Sequence, residues 1–469
     1  VAVIVVLWAV AVRVTVPFAL EWQEPAMLEH ALRVRSGAAL YAMPTVDFAP
    51  YPYPPLFYGL GAALMGILGE SLGALRVVSL VGVVLVLGSI LLSFRWLPGW
   101  AACGVFAATY GWTGFWLDVA RVDSLALGLS AVSFALVLRA EAASRRSEAA
   151  ITSATLAGAT SALAILAKQT QLGLAVALGI ALLARSRAAG GAYALALALV
   201  LVPSVLWLQA ISDGGFLWTT IDLLRGSPFY EPAILGFWIE SAWVLALPLA
   251  LTALARACGD RGEMTPCLAL GALALVFTGW LGRAHEGGFD NTLLPVALAS
   301  AFVSASALRV LLAARNPQGP WLGTVTTVGL MAVIMEDPRA AMPTDADHDA
   351  YTAAAAEVEA LLAEGEVWQP ISALPATAAG FANKMAIVDL AKSQEVEEAQ
   401  RFVLELQTAL SAQRFTAIIL DGPPREQWGN LGSMIEASYR VLGPLDTLPP
   451  APLTGAKVTP RLVLVPRSR

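Results

Sequence analysis

Charge is what this sequence has little of. Only 14% of its 469 residues are Asp, Glu, Lys or Arg, 57% are hydrophobic, and the mean hydropathy is +0.68. Soluble domains carry about 25% charged residues. An ordinary soluble protein is excluded unless the apolar residues keep to one face of each element, and they do not. VGVVLVLGSILL and YALALALVLVPSVLWL are apolar all round. Histidine and cysteine are scarce, with three of each. Cys103, Cys258 and Cys267 have no metal-ligand spacing, and their odd number argues against a disulfide framework. No phosphate-binding glycine loop, zinc signature or short internal repeat is present. Nothing in the sequence points to nucleic acid as a partner, so no nucleic-acid activity is expected.

What the chain has is long apolar runs. They fall at 1–19, 76–94, 101–117, 124–139, 151–167, 172–184, 191–210, 236–255, 265–282, 291–313 and 321–335. A membrane-crossing helix needs about 20 such residues, because every backbone polar group must be satisfied internally in lipid. The expected fold is therefore an α-helical polytopic membrane protein with about eleven transmembrane helices. Arginines mark every second connection: Arg95, then Arg139, Arg145 and Arg146, then Arg185 and Arg187, then Arg256 and Arg261, then Arg309 and Arg315. Those connections are expected on the cytoplasmic side. The intervening ones, 20–75, 118–123, 168–171, 211–235 and 283–290, then face outward. An odd number of spans starting inside puts the tail outside as well.

After about residue 340 the chain changes character. TDADHDAYTAAAAEVEALLAEGE reads as a polar-faced helix, EVWQPISAL, RFTAIILDG and RLVLVP as strands, and EEAQRFVLELQTALSA as a helix between them. Alternating helix and strand predicts a small α/β soluble domain. The expected division is a membrane domain over 1–340, with a large first outward loop at 20–75, and a tail domain over 341–469.

The outward loop opens with EWQEPAMLEHALRVRSG. Glu24 at the N-cap, Pro25 at the first helical position and Gly37 past the end bound a helix. Its stripe of Met27, Leu28, Ala31 and Val34 predicts an element lying in the interface plane. Prolines then force extended chain through YPYPP, and the run 56–69 is too short to span. It fits a half-helix dipping back where protein or a wet cavity covers it. Glu21 and Glu24 stand at the rim of this loop. Either they are solvated carboxylates favoured by a helix dipole, or they serve chemistry.

Three more outward connections hold ionisable residues against apolar spans. WLDVARVDSLAL carries Asp118, Arg121 and Asp123; LAKQTQL carries Lys168 and Gln169; LGRAHEGGFDNTLLP carries Arg283, His285, Glu286, Asp290 and Asn291. Each has a bland reading, an exposed ion pair or a snorkelling lysine. Four charged clusters at one face of one bundle favour a shared cavity. Cations there suit a phosphate ligand and a carboxylate beside them suits a general base.

The order of these motifs, an acid opening a loop helix (EPAMLEHALRVRSGAALY), YPYPPL, ARVDSLAL, LAKQT and a loop ending in NTLLP, resembles the GT-C superfamily of polyprenyl-phosphate-sugar-dependent membrane glycosyltransferases. That class includes protein O-mannosyltransferases and lipid A aminoarabinose transferases. The resemblance covers about residues 1–335. It implies an inverting transfer of sugar from a polyprenyl-phosphate donor to an acceptor hydroxyl on a glycan, lipid or protein, at the outer face of a bacterial cytoplasmic membrane. Glu24 matches the first-loop acid and general base best, with Glu21 as the alternative. Arg121, Lys168, Arg283, Gln169 and Asn291 are the implied holders of the donor phosphate, and Asp123, His285 and Tyr53 the supporting candidates. Some relatives bind a divalent metal in this loop. Many carry two adjacent acids there; here Trp22 and Gln23 separate Glu21 from Glu24, which counts against a metal, so no metal or other cofactor is expected. The other functional class the sequence allows is a transporter or flippase that moves a lipid-linked sugar without cleaving a bond. No matching halves or mid-membrane charges favour it.

Overall fold

The computed structural model describes every residue except 95, 145–146, 226–227, 259–263, 372, 376–386, 388–389, 391–396 and 469, and the side chain of Gln427. Of the arginines that orient the chain, Arg95, Arg145, Arg146 and Arg261 therefore lie outside the described residues. Every expected apolar run contains a helix. Among the described residues seven helices are long and apolar enough to cross a membrane: Leu72–Ser93 (α4), Val122–Ala142 (α6), Glu148–Ala167 (α7), Arg187–Ile211 (α9), Glu231–Ala257, Pro266–Ala284 and Asp290–Ala313. The remaining four runs give shorter helices, Ala2–Arg13 (α1), Leu97–Ala108 (α5), Gln169–Arg185, whose regular part is Leu172–Arg185 (α8), and Gln318–Ile334. At about 1.5 Å per residue, the 12-residue α1 and α5 reach only about 18 Å. Among the described residues seven helices thus pass on length and composition, beside about eleven apolar runs. α9 turns Leu195, Leu199, Val202, Leu206 and Trp207 outward, away from protein, as a lipid-facing helix does.

The run 101–117 departs from the expectation for a reason visible in its residues. The helix stops at Ala108, and 109–121 is buried, irregular chain. Thr109 and Thr113 turn their hydroxyls back on the carbonyls of Phe106 and Tyr110, and Gly114 and Phe115 both take positive φ. Non-helical backbone at this depth is tolerated because protein surrounds it. The segment delivers Asp118 and Arg121 into the interior rather than to an exposed turn.

In the long loop, Glu24–Ser36 (α2) and Leu56–Leu68 (α3) form as the punctuation predicts, with Gly37 closing α2 in the left-handed conformation. Gln23, not Glu24, is the N-cap. The apolar stripe of α2 does not lie on the membrane surface. Met27, Leu28 and Ala31 are buried with Phe57, Tyr58 and Met65 of α3 and Leu72 and Leu75 of α4.

α4 and α6 cross very closely. A Cβ on Gly82 would sit 2.1 Å from the Ser124 carbonyl oxygen, and one on Gly128 would sit 2.4 Å from the Gly82 oxygen. Small residues let helix backbones approach and gain van der Waals contact where lipid supplies no hydrophobic drive.

The tail builds a four-stranded mixed sheet from Val367–Trp368 (β1), Ala417–Leu420 (β2), Tyr439–Pro444 (β3) and Leu462–Pro466 (β4), in the order β1-β2-β4-β3. β1 and β2 are parallel, while β4 is antiparallel to both β2 and β3. β2 is fully buried, as AIIL demands. The expected strands and the helix Glu397–Ser411 are present, although β1 is only two residues long. β3 and the helix Pro424–Ser438 were not expected, because exposed Val441 and Leu442 break the alternation of a half-buried strand. Asp345–Glu364 packs beside the sheet and opens with a capping box between Thr344 and Asp347. The tail's core also takes in Val46 and Ala49 of the first loop and Leu223, and Arg414 pairs with Asp47 at 2.6 Å.

Replacing Gly82 by Leu is expected to force α4 from α6 and lower stability by about 1–3 kcal/mol or more. Gly88→Leu, on the same helix with nothing within 4 Å of a new Cβ, is the comparison. Thermal unfolding in detergent reads the difference; equal melting of the two variants would contradict the packing.

Candidate active site

Two buried arginines organise the end of the bundle where the first loop begins. Arg76 on α4 is completely buried and uses every N–H it has. Nε and Nη2 grip Glu24 at 2.9 and 2.6 Å, Nη1 donates to the carbonyls of Arg13 and Val16, and Nη2 also donates to that of Phe18. Glu24 is equally saturated, accepting the Leu20 N–H at 2.6 Å and the Ala120 N–H at 2.6 Å besides the guanidinium. Burial pushes its carboxyl up, but Arg76 and these N–H groups outweigh burial and hold it below the ordinary carboxylate range. Arg13, at the end of α1, makes a matching pair with Asp118 at 2.7 Å, and Asp118 also accepts from Tyr110 at 2.9 Å.

Glu21 lies in the same loop with a different environment. It is 1% exposed. Its Oε2 accepts from Arg121 Nη1 at 3.2 Å and from the Gln23 N–H at 3.0 Å, while Oε1 makes no hydrogen bond. Burial drives its carboxyl up to about 7, against the pull of Arg121 and with the help of the nearby Glu24 charge. Arg121 stands at the N-cap of α6 and also donates to the Gln23 side-chain oxygen and to the Tyr53 hydroxyl, the latter at 3.0 Å. Its guanidinium lies 5.9 Å from the centre of the Trp116 ring.

From Tyr53 the polar cluster continues. Lys168 Nζ is 6.0 Å from the Tyr53 ring centre and pairs with Asp123 at 2.6 Å. Asn291 donates to the same Asp123 oxygen at 2.9 Å. Asp123, Lys168 and Asn291 line a small, partly open pocket of about 40 Å³ with Gln171, Thr278 and Thr292. Gln169 braces the loops, donating to the carbonyls of Pro52 at 2.6 Å and Thr220 at 3.2 Å. Six buried polar atoms gathered here, Glu21 Oε1, Tyr51 Oη, Tyr58 Oη, Arg121 Nε, Asp123 Oδ2 and Gln169 Oε1, make no hydrogen bond within the protein. Buried polar groups are satisfied in the great majority of cases, so this concentration marks a place built for something other than packing.

Of the residues singled out from sequence, Glu21, Arg121, Tyr53, Asp123, Lys168 and Asn291 come together, with Gln169 beside them and Glu24 one layer beneath. Arg283 and His285 do not join them. Arg283 is engaged with Asp290 at 3.3 Å and the Gly288 carbonyl at 2.9 Å, and His285 contacts the Glu286 carbonyl and the edge of Phe229. Arg76 escaped the sequence reading, although its signal was there: a lone cation heading a long apolar helix. Arg13, a lone cation in the first apolar run, was likewise passed over, and Asp118, which was singled out, pairs with it; Gln23 carried no such signal. Among the described residues no three His, Cys, Asp or Glu side chains come together as metal ligands. Glu21 and Glu24 each face a guanidinium, so the residues present do not fit a divalent metal in this loop.

No family model matches the chain, and no curated protein matches it. Solved structures do. The structure of ArnT from Cupriavidus metallidurans bound to undecaprenyl phosphate superposes with a TM-score of 0.58 at 14% identity, over 99% of this chain and 96% of that one. Apo ArnT gives 0.55 at 12% identity with the same coverage. The Archaeoglobus fulgidus oligosaccharyltransferase in complex with Zn and sulfate gives 0.51 at 13% identity, over 97% of this chain and 72% of that one. The chain shares the fold of these structures. Identities this low carry the fold and leave the chemistry to the site.

Arg76→Met, which leaves Glu24 buried without its partner, is expected to cost about 3–5 kcal/mol of stability. Adding Glu24→Gln should recover part of it. A double variant no more stable than Arg76→Met, measured by thermal unfolding in detergent, would show that the pair does not act as a unit.

Proposed function

We propose that this chain is an inverting glycosyltransferase that moves a sugar from a polyprenyl-phosphate carrier to an acceptor hydroxyl, working at the outer face of a bacterial cytoplasmic membrane with its tail domain on the same side. One observation carries the reading: a carboxylate with a free buried oxygen, Glu21, lies against Arg121 in a cluster that continues to Lys168. The shared fold and the undecaprenyl phosphate bound to ArnT support it.

In this mechanism the acceptor oxygen attacks the anomeric carbon from the face opposite the phosphate. The bond from that carbon to the phosphate oxygen breaks, and the carrier phosphate leaves with the electron pair. The acceptor proton passes to a carboxylate. Phosphate is already a good leaving group, so its departure calls for cations to meet the growing charge, and Arg121 and Lys168 fill that role. Asn291 and Gln169 orient what the cations hold. Between the two loop acids the geometry weights Glu21 above Glu24 as the base. Glu21 keeps an unused oxygen and has its basicity raised into the working range, whereas every side of the Glu24 carboxylate is taken by Arg76 and backbone N–H groups. Glu24 then acts as the anchor that shapes the loop.

The test is release of polyprenyl phosphate from a lipid-phosphate sugar by the purified chain in detergent. Glu21→Gln is expected to lower turnover by about 10²–10⁴-fold with donor binding retained. Lys168→Ala is expected to weaken donor binding. Lipid movement without any bond cleavage would identify a flippase instead. A base must be unprotonated to act, so the wild-type kcat/KM should fall as pH drops through about 7, the value to which burial raises Glu21. A profile flat from pH 8 to pH 5 would remove Glu21 from the role. A cysteine at exposed position Asp345 should be labelled by an impermeant reagent from outside intact cells; labelling only after lysis would reverse the proposed orientation.

A further inference from the structure

The chain between β3 and β4 leaves the tail sheet and returns to the first loop. The Thr454 N–H donates to the Leu20 carbonyl at 2.9 Å, and Thr454 lies in parallel bridge register with Glu21. The Thr454 side chain is buried. Its Oγ1 accepts from Arg13 Nη2 at 3.2 Å and donates to the Phe115 carbonyl at 3.4 Å. Arg13 also binds Asp118, so the strap is tied to the irregular segment that delivers Arg121.

The next residue is Gly455, in the left-handed region at φ +71°. A Cβ there would stand 3.0 and 3.2 Å from the far ring atoms of Trp116 and 3.4 Å from Cγ of Glu21. Trp116 is 1% exposed, stacks against Phe289 and lies beneath Arg121. The strap therefore touches the two side chains that flank the Arg121 guanidinium. Nothing in its sequence, PLTGAKV, distinguishes it from an ordinary loop.

We infer that the Leu453–Gly455 strap of the tail forms one wall of the catalytic chamber, and that Gly455 is a positioning residue whose bare α-carbon lets Trp116 and Glu21 close against Arg121. The tail then completes the site instead of standing apart as an acceptor-binding module. Thr454 fixes the height of the strap through Leu20 and Arg13, and Gly455 fixes how near it comes. The inference rests on Glu21 as the base.

The experiment uses the full chain with Gly455→Ala. The added methyl and the strained φ should lift the strap and let water reach Glu21. Turnover should fall by about ten-fold or more, as displacements near 1 Å at a reacting group do. Donor KM should stay within about two-fold of wild type, because Lys168 and Arg121 are untouched. The acid limb of kcat/KM should move down by about one pH unit as burial of the carboxyl is relieved. Trp116→Phe in the same chain removes the ring atoms that the methyl meets and should restore part of the turnover. Gly443→Ala, in β3 with nothing within 4 Å of the new Cβ, should behave as wild type. Should Gly455→Ala fail to accumulate as folded protein, Thr454→Val carries the test with the same expected split. An inactive Glu21→Gln together with wild-type turnover and an unmoved acid limb in the strap variant overturns this inference alone. An active Glu21→Gln overturns the reading beneath it.

Discussion

The buried pairing of Arg76 with Glu24 is the constraint on which the rest of this site depends. A guanidinium and a carboxylate removed from water persist only if every donor and acceptor is met. Here the donors are met by the carbonyls of Arg13, Val16 and Phe18 and by Glu24, and the carboxylate is met in turn by the N–H groups of Leu20 and Ala120. Six residues of the chain are thereby held around one helix end. Replacing such a pair with apolar residues often leaves stability unchanged or improved, so its value lies in specifying one arrangement of the loop. Glu21 follows Leu20 directly and Arg121 follows Ala120 directly. The two residues facing each other in the site are positioned by the two that lock onto Glu24.

Around that anchor the charges balance. Arg121 is set against Glu21, and Lys168 against Asp123. In the proposed reaction the cluster receives a phosphate without first presenting a bare positive cavity, which would be hard to bury in a bundle surrounded by lipid. The unmatched atoms, among them Glu21 Oε1 and Asp123 Oδ2, are the hydrogen-bonding capacity left over when those pairs have formed. The tail closes the arrangement from the far end of the sequence. Thr454 reaches Arg13, and Gly455 reaches Trp116 and Glu21.

The helices were legible in the sequence because apolar runs are a local signal, and each of the runs contains a helix. The short α3 and the C-terminal cap of α2 were legible for the same reason, since Gly37 and the YPYPP stretch act on their own backbone, whereas the N-cap falls one residue earlier than expected. The meeting of Lys168, Asp123 and Asn291 was legible only as a statistical clustering of charges at one face. Which carboxylate is saturated was not legible at all. Glu24 and Glu21 are three positions apart in similar surroundings, and the difference between them is Arg76, some fifty residues on, and one backbone N–H on a buried segment. The part of that segment up to residue 117 was read as helix because its residues are apolar, and its glycines and back-bonding threonines outweighed the hydropathy. The strap was beyond reach for a plainer reason: a contact spanning most of the chain leaves no periodic trace.

A structure of the chain with polyprenyl phosphate bound tests the account most directly. The account predicts phosphate oxygens within about 3.2 Å of Arg121 and Lys168, with an open side of the phosphate facing Glu21. A phosphate bound elsewhere, with Arg121 still closed on Glu21 and Lys168 still closed on Asp123, would contradict it.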